Sequence, residues 1–380
     1  MNLTDYFEPV DFSQYKDDGR SLGKYGLGQA IEKINRKLTG KSSKPPRVVI
    51  FGVPADHGKP HKKGASAPDK IRNALYSLAA IDEKVEVADL GNLKSSKNQR
   101  GTFFAIRDVV EYLREQNIIT VILGGSQELT AGICEAFKSE RHFWLTTIDA
   151  VPDIKKGVEA YNSSNYLSSL FKNLPNLFQY SLLAYQHHLT GDKLLNKLPG
   201  AAEHLRLGIL RDNIKQAEPV LRNSHVVSFD MGAIKYNEAP STPQKNPNGL
   251  KGEEACQLAH YAGISYQTAV FGLFEIQAGF DKDGLTSALA AEIVWYFLNG
   301  VTQRCYPGKR TTYKVEIEGL DHPVVFHNEQ GTGRWWFEVE SVTGEKLEVA
   351  CTADDYKQAT ENEIPARWFR FLQKLDSTSK

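Results

Sequence analysis

The stretch IITVILGGSQEL, residues 118–129, joins an apolar run to a glycine turn. The run has no polar face, which is typical of a parallel strand that helices cover on both sides. A glycine pair beginning at Gly124 ends the strand, and the turn then presents Ser126, Gln127 and Glu128. Because open parallel sheets bind ligands beyond the carboxyl ends of their strands, this turn is a candidate site.

Seven further β-branched or aromatic runs follow the same pattern, and segments of helical period separate several of them. The eight predicted strands are 47–53, 85–90, 118–125, 143–150, 178–185, 204–210, 225–231 and 270–276. The predicted helices are 103–115, 128–138, 253–262 and 286–299. This alternation predicts a three-layer α/β/α fold with an eight-stranded, mostly parallel sheet.

The pattern changes after Gly300. Segments 311–319, 323–328 and 334–340 alternate polar with apolar residues, which predicts antiparallel strands in a C-terminal β appendage. A terminal helix, 364–375, is predicted to dock either on the body of the chain or on another subunit. The predicted units are therefore a lead-in over 1–46, an α/β domain over 47–300, and the appendage with its helix over 301–380, packed on the main domain.

Composition excludes several classes of protein. Lys+Arg and Asp+Glu each count 46, so the 380-residue chain lacks the positive field that binding to nucleic acid or an anionic membrane requires. The four cysteines form no Cys-x-x-Cys pair, which indicates reduced thiols in a cytoplasm. The N-terminus does not resemble a secretory signal, and no window of about 18 apolar residues is present. We therefore expect a soluble cytoplasmic protein with no nucleic-acid or membrane partner.

Acidic residues gather at the predicted strand ends. One strand delivers Asp149 and, four residues later, Asp153, while two others deliver Asp230 and Glu275. Carboxylates that converge in one cleft repel one another unless a cation, a proton or a hydrogen-bond donor offsets their charge. The sequence therefore predicts a carboxylate site at the carboxyl edge of the sheet.

The ordered motifs resemble the ureohydrolase family of arginase, agmatinase and formimidoylglutamase. The matching segments, spread over residues 47–300, are GVPADHGKPHKKGASAPDKIRNAL (52–75), GGSQEL (124–129), DAVPD (149–153), SFDMGAIKY (228–236), LFEIQ (273–277) and DGLTSALAAE (283–292). The resemblance implies two manganese ions that share a bridging hydroxide and are held by six side chains. Three of those six positions are changed, to Gln127, Val151 and Gly232, and the three retained are Asp149, Asp153 and Asp230.

The losses fall unevenly on the two ions that the resemblance implies. The ligands of one ion become Gln127, Asp149, Asp153 and Asp230, which still offer four oxygen donors to magnesium, calcium or manganese. The ligands of the other become Val151, Asp149, Asp230 and Gly232, of which valine and glycine have no donor atom. We therefore expect no metal or a single weakly held divalent cation, and we do not expect two manganese ions.

Two hypotheses describe how the altered site is used. Lys235 either extends its ammonium group into the vacated space or remains a solvated loop lysine. Gln127, Glu128 and Glu275 are candidates to bind a guanidino or amidine small molecule, in a pocket that also includes Ser126, Val151 and Gly232.

The resemblance and the lost ligands together favour a non-catalytic binding or assembly protein, and family likeness implies a homo-oligomer. The alternative is an active amidino C–N hydrolase, formimidoylglutamase- or agmatinase-like, that uses at most one divalent ion. Asp149, Asp230 and Glu275 would then be its catalytic residues.

Overall fold

A nine-stranded sheet forms the centre of the molecule in the computed structural model, which describes residues 1–15, 22–38, 45–54, 66–199, 202–304 and 308–378. Its spatial order is β1-β3-β2-β4-β9-β8-β5-β6-β7, and every pairing except that of β1 is parallel. The strands are β1 (Phe7–Glu8), β2 (Val48–Gly52), β3 (Val87–Leu93), β4 (Ile119–Leu123), β5 (Phe143–Ile148), β6 (Leu177–Tyr185), β7 (Glu203–Arg206), β8 (Val226–Asp230) and β9 (Val270–Phe274).

The predicted parallel sheet is confirmed, but its predicted count of eight strands is wrong by one. The additional strand, β1, comes from the lead-in and pairs antiparallel with β3 at the sheet edge. Gly91 makes this pairing possible, because its φ is +89° and a Cβ there would lie 1.9 Å from the carbonyl oxygen of Glu8. The predicted strand 204–210 is shorter than expected, since β7 ends at Arg206 and a helix follows immediately.

Helices cover both faces of this sheet, as the strand composition predicted. On β2, Val48 and Ile50 pack into one core layer, while Val49 and Phe51 pack into the other. No helix in the described ranges is long and apolar enough to cross a bilayer. The helices of the body are α1 (Leu27–Leu38), α2 (Ala67–Ser77), α3 (Gln99–Glu115), α4 (Thr130–Glu135), α5 (Tyr166–Asn173), α6 (His187–Thr190), α7 (Asp192–Leu195), α8 (Leu207–Asp212), α9 (Ala217–Arg222), α10 (Gly252–Ile264) and α11 (Leu285–Thr302).

The C-terminal appendage is a separate antiparallel sheet of four strands in the order β10-β11-β12-β13, followed by two helices. Its three predicted strands are confirmed, and the fourth, β13, completes the sheet. The elements are β10 (Arg310–Val315), β11 (Val324–Glu329), β12 (Trp335–Glu340), β13 (Lys346–Cys351), α12 (Ala353–Thr360) and α13 (Ala366–Thr378).

The terminal helix α13 docks on the chain's own body. Phe371 stacks on Trp144 of β5 with ring centroids 5.2 Å apart, and Phe178 of β6 belongs to the same buried cluster. The indole of Trp368 is also buried and donates a hydrogen bond to the carbonyl oxygen of Glu338 (2.8 Å). Phe369 alone among the helix's large apolar residues remains 45% exposed. The apolar face of α13 is therefore largely used within the chain.

A buried ion pair fastens α2 to the sheet. Arg72, in the Ile-Arg segment of the first motif, donates from Nε and Nη2 to both carboxylate oxygens of Asp89 on β3 (2.8 and 3.0 Å). Tyr76 and the backbone N–H of Gly91 donate to the same carboxylate (2.9 and 2.8 Å). The motif arginine thus fixes the middle of α2 to β3. The preceding motif residues 55–65 lie outside the described residues.

His225, which directly precedes β8, is expected to make the folding stability depend on pH. Burial lowers its pKa to about 4, and its Nδ1 accepts a hydrogen bond from the N–H of Trp144 (3.2 Å), which requires an unprotonated nitrogen. Because the unfolded value is about 6.5, the unfolded chain binds the proton more tightly and stability falls as pH drops from about 6.5 towards 4. We expect His225→Asn, whose Oδ1 keeps an acceptor but does not titrate, to lose about 2 kcal/mol less stability than the wild type between pH 8 and pH 5. Urea unfolding at both pH values measures this difference, and equal losses in the two proteins would contradict it.

Candidate functional site

Four neighbouring strands at the centre of the sheet, β4, β9, β8 and β5, supply the predicted site residues. Gln127 follows β4, Glu275 follows β9, Asp230 ends β8, and Asp149 follows β5. The chain leaves β4 for β5 and returns later through β8 and β9, which fill the gap between them. The site therefore lies at the switch in strand order, where open parallel sheets bind ligands.

Three carboxylates meet there. One oxygen atom from each of Asp149, Asp153 and Asp230 lies within 4.8 Å of the other two, and all three residues are buried. The first and third also cap their own turns, since Asp149 accepts from the N–H of Val151 (3.1 Å) and Asp230 accepts from the N–H of Gly232 (2.6 Å). The structure thus brings together the acids that the sequence placed at separate strand ends.

Burial makes the negative charge of this cluster costly. It raises the pKa of Asp149 to about 7, and the charge of Glu275 adds to the effect. Burial, and then the charges of neighbouring carboxylates, raise the pKa of Asp153 and of Asp230 well above the usual range. The cluster therefore favours a bound proton or a cation near neutral pH.

The carboxamide of Gln127 can serve the cluster in two orientations. In one, Nε2 donates to Ser228 Oγ (3.3 Å), and the carbonyl oxygen faces the acids. After a half-turn of the amide, Nε2 donates instead to Asp153 Oδ2 (2.7 Å) and Asp149 Oδ2 (3.2 Å). Ser228 accommodates both, because its hydroxyl can donate or accept and also bonds to the Thr130 hydroxyl (2.7 Å). The first orientation, with the amide oxygen facing the acids, is compatible with a cation bound among them. The second, with the amide nitrogen donating to the acids, is compatible with a site that holds no cation.

Glu275 has an unusual backbone conformation. Its φ is +66°, a left-handed conformation that costs a residue other than glycine about 1–3 kcal/mol. Two hydrogen bonds hold the residue there: its N–H donates to the carbonyl oxygen of Gly125 (3.0 Å), and its Oε1 accepts from the N–H of Gln127 (2.8 Å). This backbone turns the carboxylate towards the β4 turn.

The remaining predicted pocket residues do not all join the cluster. Ser126 and Glu128 are buried, but the Glu128 carboxylate accepts from Nε2 of Gln99 on α3 (2.9 Å). Val151 and Lys235 are half-buried. Among the described ion pairs, none within 4.0 Å joins Lys235 to Asp149, Asp153 or Asp230.

The space beside Gly232 is occupied by a side chain that the sequence did not indicate. A Cβ built on Gly232 would lie 2.9 Å from Gln244 Oε1 and 3.0 Å from Asp230 Oδ1. Asn246 in turn donates to Gln244 Oε1 (3.4 Å). The amide of Gln244 therefore crowds the position from which a side chain at 232 would reach a metal ion.

The donor atoms of the cluster have the chemistry that a divalent cation prefers. The three clustered acids and the Gln127 carbonyl oxygen offer four hard oxygen donors, which is the chemistry that magnesium, calcium or manganese takes. At two positions where the family resemblance implies further metal ligands, this chain has Val151 and Gly232, whose side chains offer no donor atom. In the part of the chain that the structure describes, this cluster is the one group of acids, histidines or cysteines close enough to hold a metal ion.

Three residues contribute to the site without being among those predicted from the sequence: Ser228, Thr130 and Gln244. Ser228 lies in the quoted SFDMG segment, so its motif position was a usable signal for a role beside Asp230. Thr130 supports Ser228 from the start of α4. Gln244 could not be identified from the sequence, because it lies in a loop twelve positions after Gly232 and outside the quoted motifs.

Comparison with known proteins agrees with this class of fold. An arginase-family model matches residues 46–299. Because the match covers more than half of the chain, the chain belongs to the arginase family.

Individual relatives are distant. A formimidoylglutamase of Photorhabdus laumondii is 22% identical over 271 residues, which cover 65% of this chain and 84% of that protein. The crystal structure of Trypanosoma cruzi formiminoglutamase with Mn2+2 superimposes with a TM-score of 0.63 at 15% identity, covering 72% of this chain and 99% of that one. The agmatine ureohydrolase of Thermoplasma volcanium gives a TM-score of 0.59 at 20% identity, covering 73% and 94%. At these identities the structural likeness establishes the fold.

Proposed function

We propose that this chain is a non-catalytic member of the arginase family that binds a guanidino or amidine small molecule and holds at most one divalent cation. The observation that carries the proposal is the donor count. Val151 and Gly232 stand where the family resemblance requires metal ligands, and the Gln244 amide crowds the second position. The chain then lacks two of the side-chain ligands that a dinuclear centre would need, and without two ions no bridging hydroxide would form.

The charge of the site supports a cationic ligand. Three buried carboxylates with raised pKa values lie together, and the charge of Glu275 acts on all three. A planar guanidinium or amidinium group neutralises carboxylates while donating several hydrogen bonds in fixed directions. Relatives named formimidoylglutamase and agmatine ureohydrolase support an amidine or guanidine as the ligand class.

The alternative, an active hydrolase with a single ion, is favoured by one observation. In one amide orientation the Gln127 oxygen joins the three acids as a fourth donor. A cation held there would supply Lewis-acid activation, and Asp230 and Glu275 would orient the substrate.

An activity assay separates the two proposals. The purified chain is incubated with arginine, agmatine, guanidino acids and formimidoylglutamate, with and without manganese, and released urea, ammonia and formamide are measured. We expect no product above that of Asp230→Asn, because removing this shared acid removes any remaining metal chemistry. Manganese-dependent turnover that disappears in Asp230→Asn would establish the alternative.

Binding is measured on the same compounds by calorimetry. We expect at least one cationic compound to bind, and Glu275→Gln to weaken it by about tenfold, the effect of losing one charge-assisted hydrogen bond. Glu340→Gln, which removes the carboxylate of an exposed pair with Lys346, serves as the matched loss of one negative charge. Absence of binding by every guanidino and amidine compound would refute the ligand class. A homo-oligomer is also part of the proposal, and light scattering on the eluting protein tests it.

A further inference from the structure

A cavity lies at the amino-terminal edge of the sheet, opposite the carboxylate cluster. It has a volume of about 510 Å³ and sits beneath the starts of β2, β4 and β9. Its lining includes three arginines, Arg47, Arg114 and Arg304, together with Tyr266 and Thr268. The arginines come from three separate elements: the start of β2, the last turn of α3, and the segment after α11.

The protein holds two of these arginines in fixed positions. Arg304 donates from Nε to the carbonyl oxygen of Gly263 (2.7 Å) and from Nη2 to that of Thr268 (2.9 Å). Neither bond uses Nη1. Arg114 forms an ion pair with Glu140, and its guanidinium lies 4.9 Å from the centre of the Phe137 ring.

The positive charge of this cavity exceeds the nearby negative charge. Among the described ion pairs Glu140 neutralises Arg114, but no carboxylate lies within 4.0 Å of Arg47 or Arg304. Burial, and then the charge of Arg47, lower the pKa of Arg304 to about 9. Two partly buried cations near each other are unfavourable without a counter-ion, so an anion that entered the cavity would relieve their repulsion.

We propose that this cavity binds a small oxyanion of at least two negative charges, carried by a phosphate or by paired carboxylates. Guanidinium groups match the planar geometry of both oxyanions and bind them through paired N–H donors. The volume is in the range of small-molecule pockets and leaves room for an anionic group carried on a larger metabolite. The site lies at the edge of the sheet opposite the carboxylate cluster and does not depend on the function proposed for that cluster.

The position of the cavity also links it to the appendage. The Tyr266 hydroxyl accepts from Nη2 of Arg310 on β10 (3.4 Å), and the same arginine pairs with Glu348 on β13 (2.8 Å). A bound anion would therefore lie where the body and the appendage meet.

Calorimetric titration of the full chain with pyrophosphate and with citrate tests this proposal, with sodium chloride at matched ionic strength as the reference. We expect one anion per chain and an affinity about tenfold weaker in Arg47→Gln, the effect of losing one charge-assisted contact. Arg47 is half-buried, and its side chain makes no described hydrogen bond, so this variant should fold normally. Arg100→Gln, an exposed change on the first turn of α3, is the matched control and should alter affinity by less than about twofold.

The outcomes are distinct. Tighter binding of pyrophosphate supports a phosphorylated metabolite, and tighter binding of citrate supports a polycarboxylate. Anion binding no stronger than that of chloride, or binding that Arg47→Gln leaves unchanged, overturns the proposal. If Arg304→Gln unfolds at the same temperature as the wild type, its anion affinity provides a second measurement. If it unfolds at a lower temperature, the affinity of Arg47→Gln alone decides the outcome.

Discussion

Introducing Gln127→His, Val151→His and Gly232→Asp together is expected to raise bound manganese from at most one ion to two per chain. The changes supply imidazole and carboxylate donors at the three altered ligand positions, and imidazole binds transition metals better than an uncharged amide does. An aspartate at 232 would meet the Gln244 amide, whose nearest atom lies 2.9 Å from the new Cβ. The variant therefore also carries Gln244→Ala to clear that space.

Elemental analysis after dialysis against manganese measures the ratio. Gln244→Ala alone is the control, and it should bind no more manganese than the wild type because it adds no donor. Two ions bound by the unaltered chain would refute both the donor count and the non-catalytic proposal. If the variant with all four substitutions binds two manganese ions per chain and the wild type binds none or one, the difference in bound manganese is due to the substituted positions.

Replacing Asp89 by asparagine is expected to cost about 3–5 kcal/mol of folding stability, because it removes the buried counter-charge of the Arg72 guanidinium and leaves it only a 3.4 Å contact with the half-buried Asp69. Both side chains of the pair are almost completely excluded from solvent, at 1% and 0% exposure. Urea unfolding at pH 7 measures the loss. Glu340→Gln removes the carboxylate of an exposed pair with Lys346 and should cost less than about 1 kcal/mol. Equal effects of the two substitutions would show that the Arg72–Asp89 pair is not a dominant anchor.

The sequence was sufficient for most of the fold because a parallel sheet between two helix layers has a strong local pattern. Strands such as β2 and β4 are apolar on both faces, and each is confirmed close to its predicted bounds. Local pattern fails where pairing depends on distant residues. The two residues of β1 form a strand only because Gly91 admits the backbone of Glu8. The helix α12 did have a usable signal, since Thr352 and Asp355 form a capping box at its start.

For the candidate site, the sequence could identify which acids meet but not how their surroundings respond. Asp149, Asp153 and Asp230 follow strands that topology places side by side, so their convergence is predictable. The orientation of the Gln127 amide depends on Ser228, which belongs to another strand. The crowding of Gly232 by Gln244 depends on a loop conformation that no residue pattern encodes. Tertiary packing sets the distances between side chains from separate loops. The periodicity of a local segment carries no information about these distances, so they could not be predicted from the sequence.

The stacking of α13 on the start of β5 has a practical consequence for recombinant work. A chain cut near residue 300, where the family match ends, would leave Trp144 and Phe178 without their cover of Phe371. An uncovered aromatic surface of this kind promotes self-association, so the shortened protein would precipitate or form aggregates instead of remaining a tractable monomeric sample. The last 70 or so residues therefore complete the hydrophobic core at this edge of the sheet, and we do not expect the remainder of the chain to stay soluble without them.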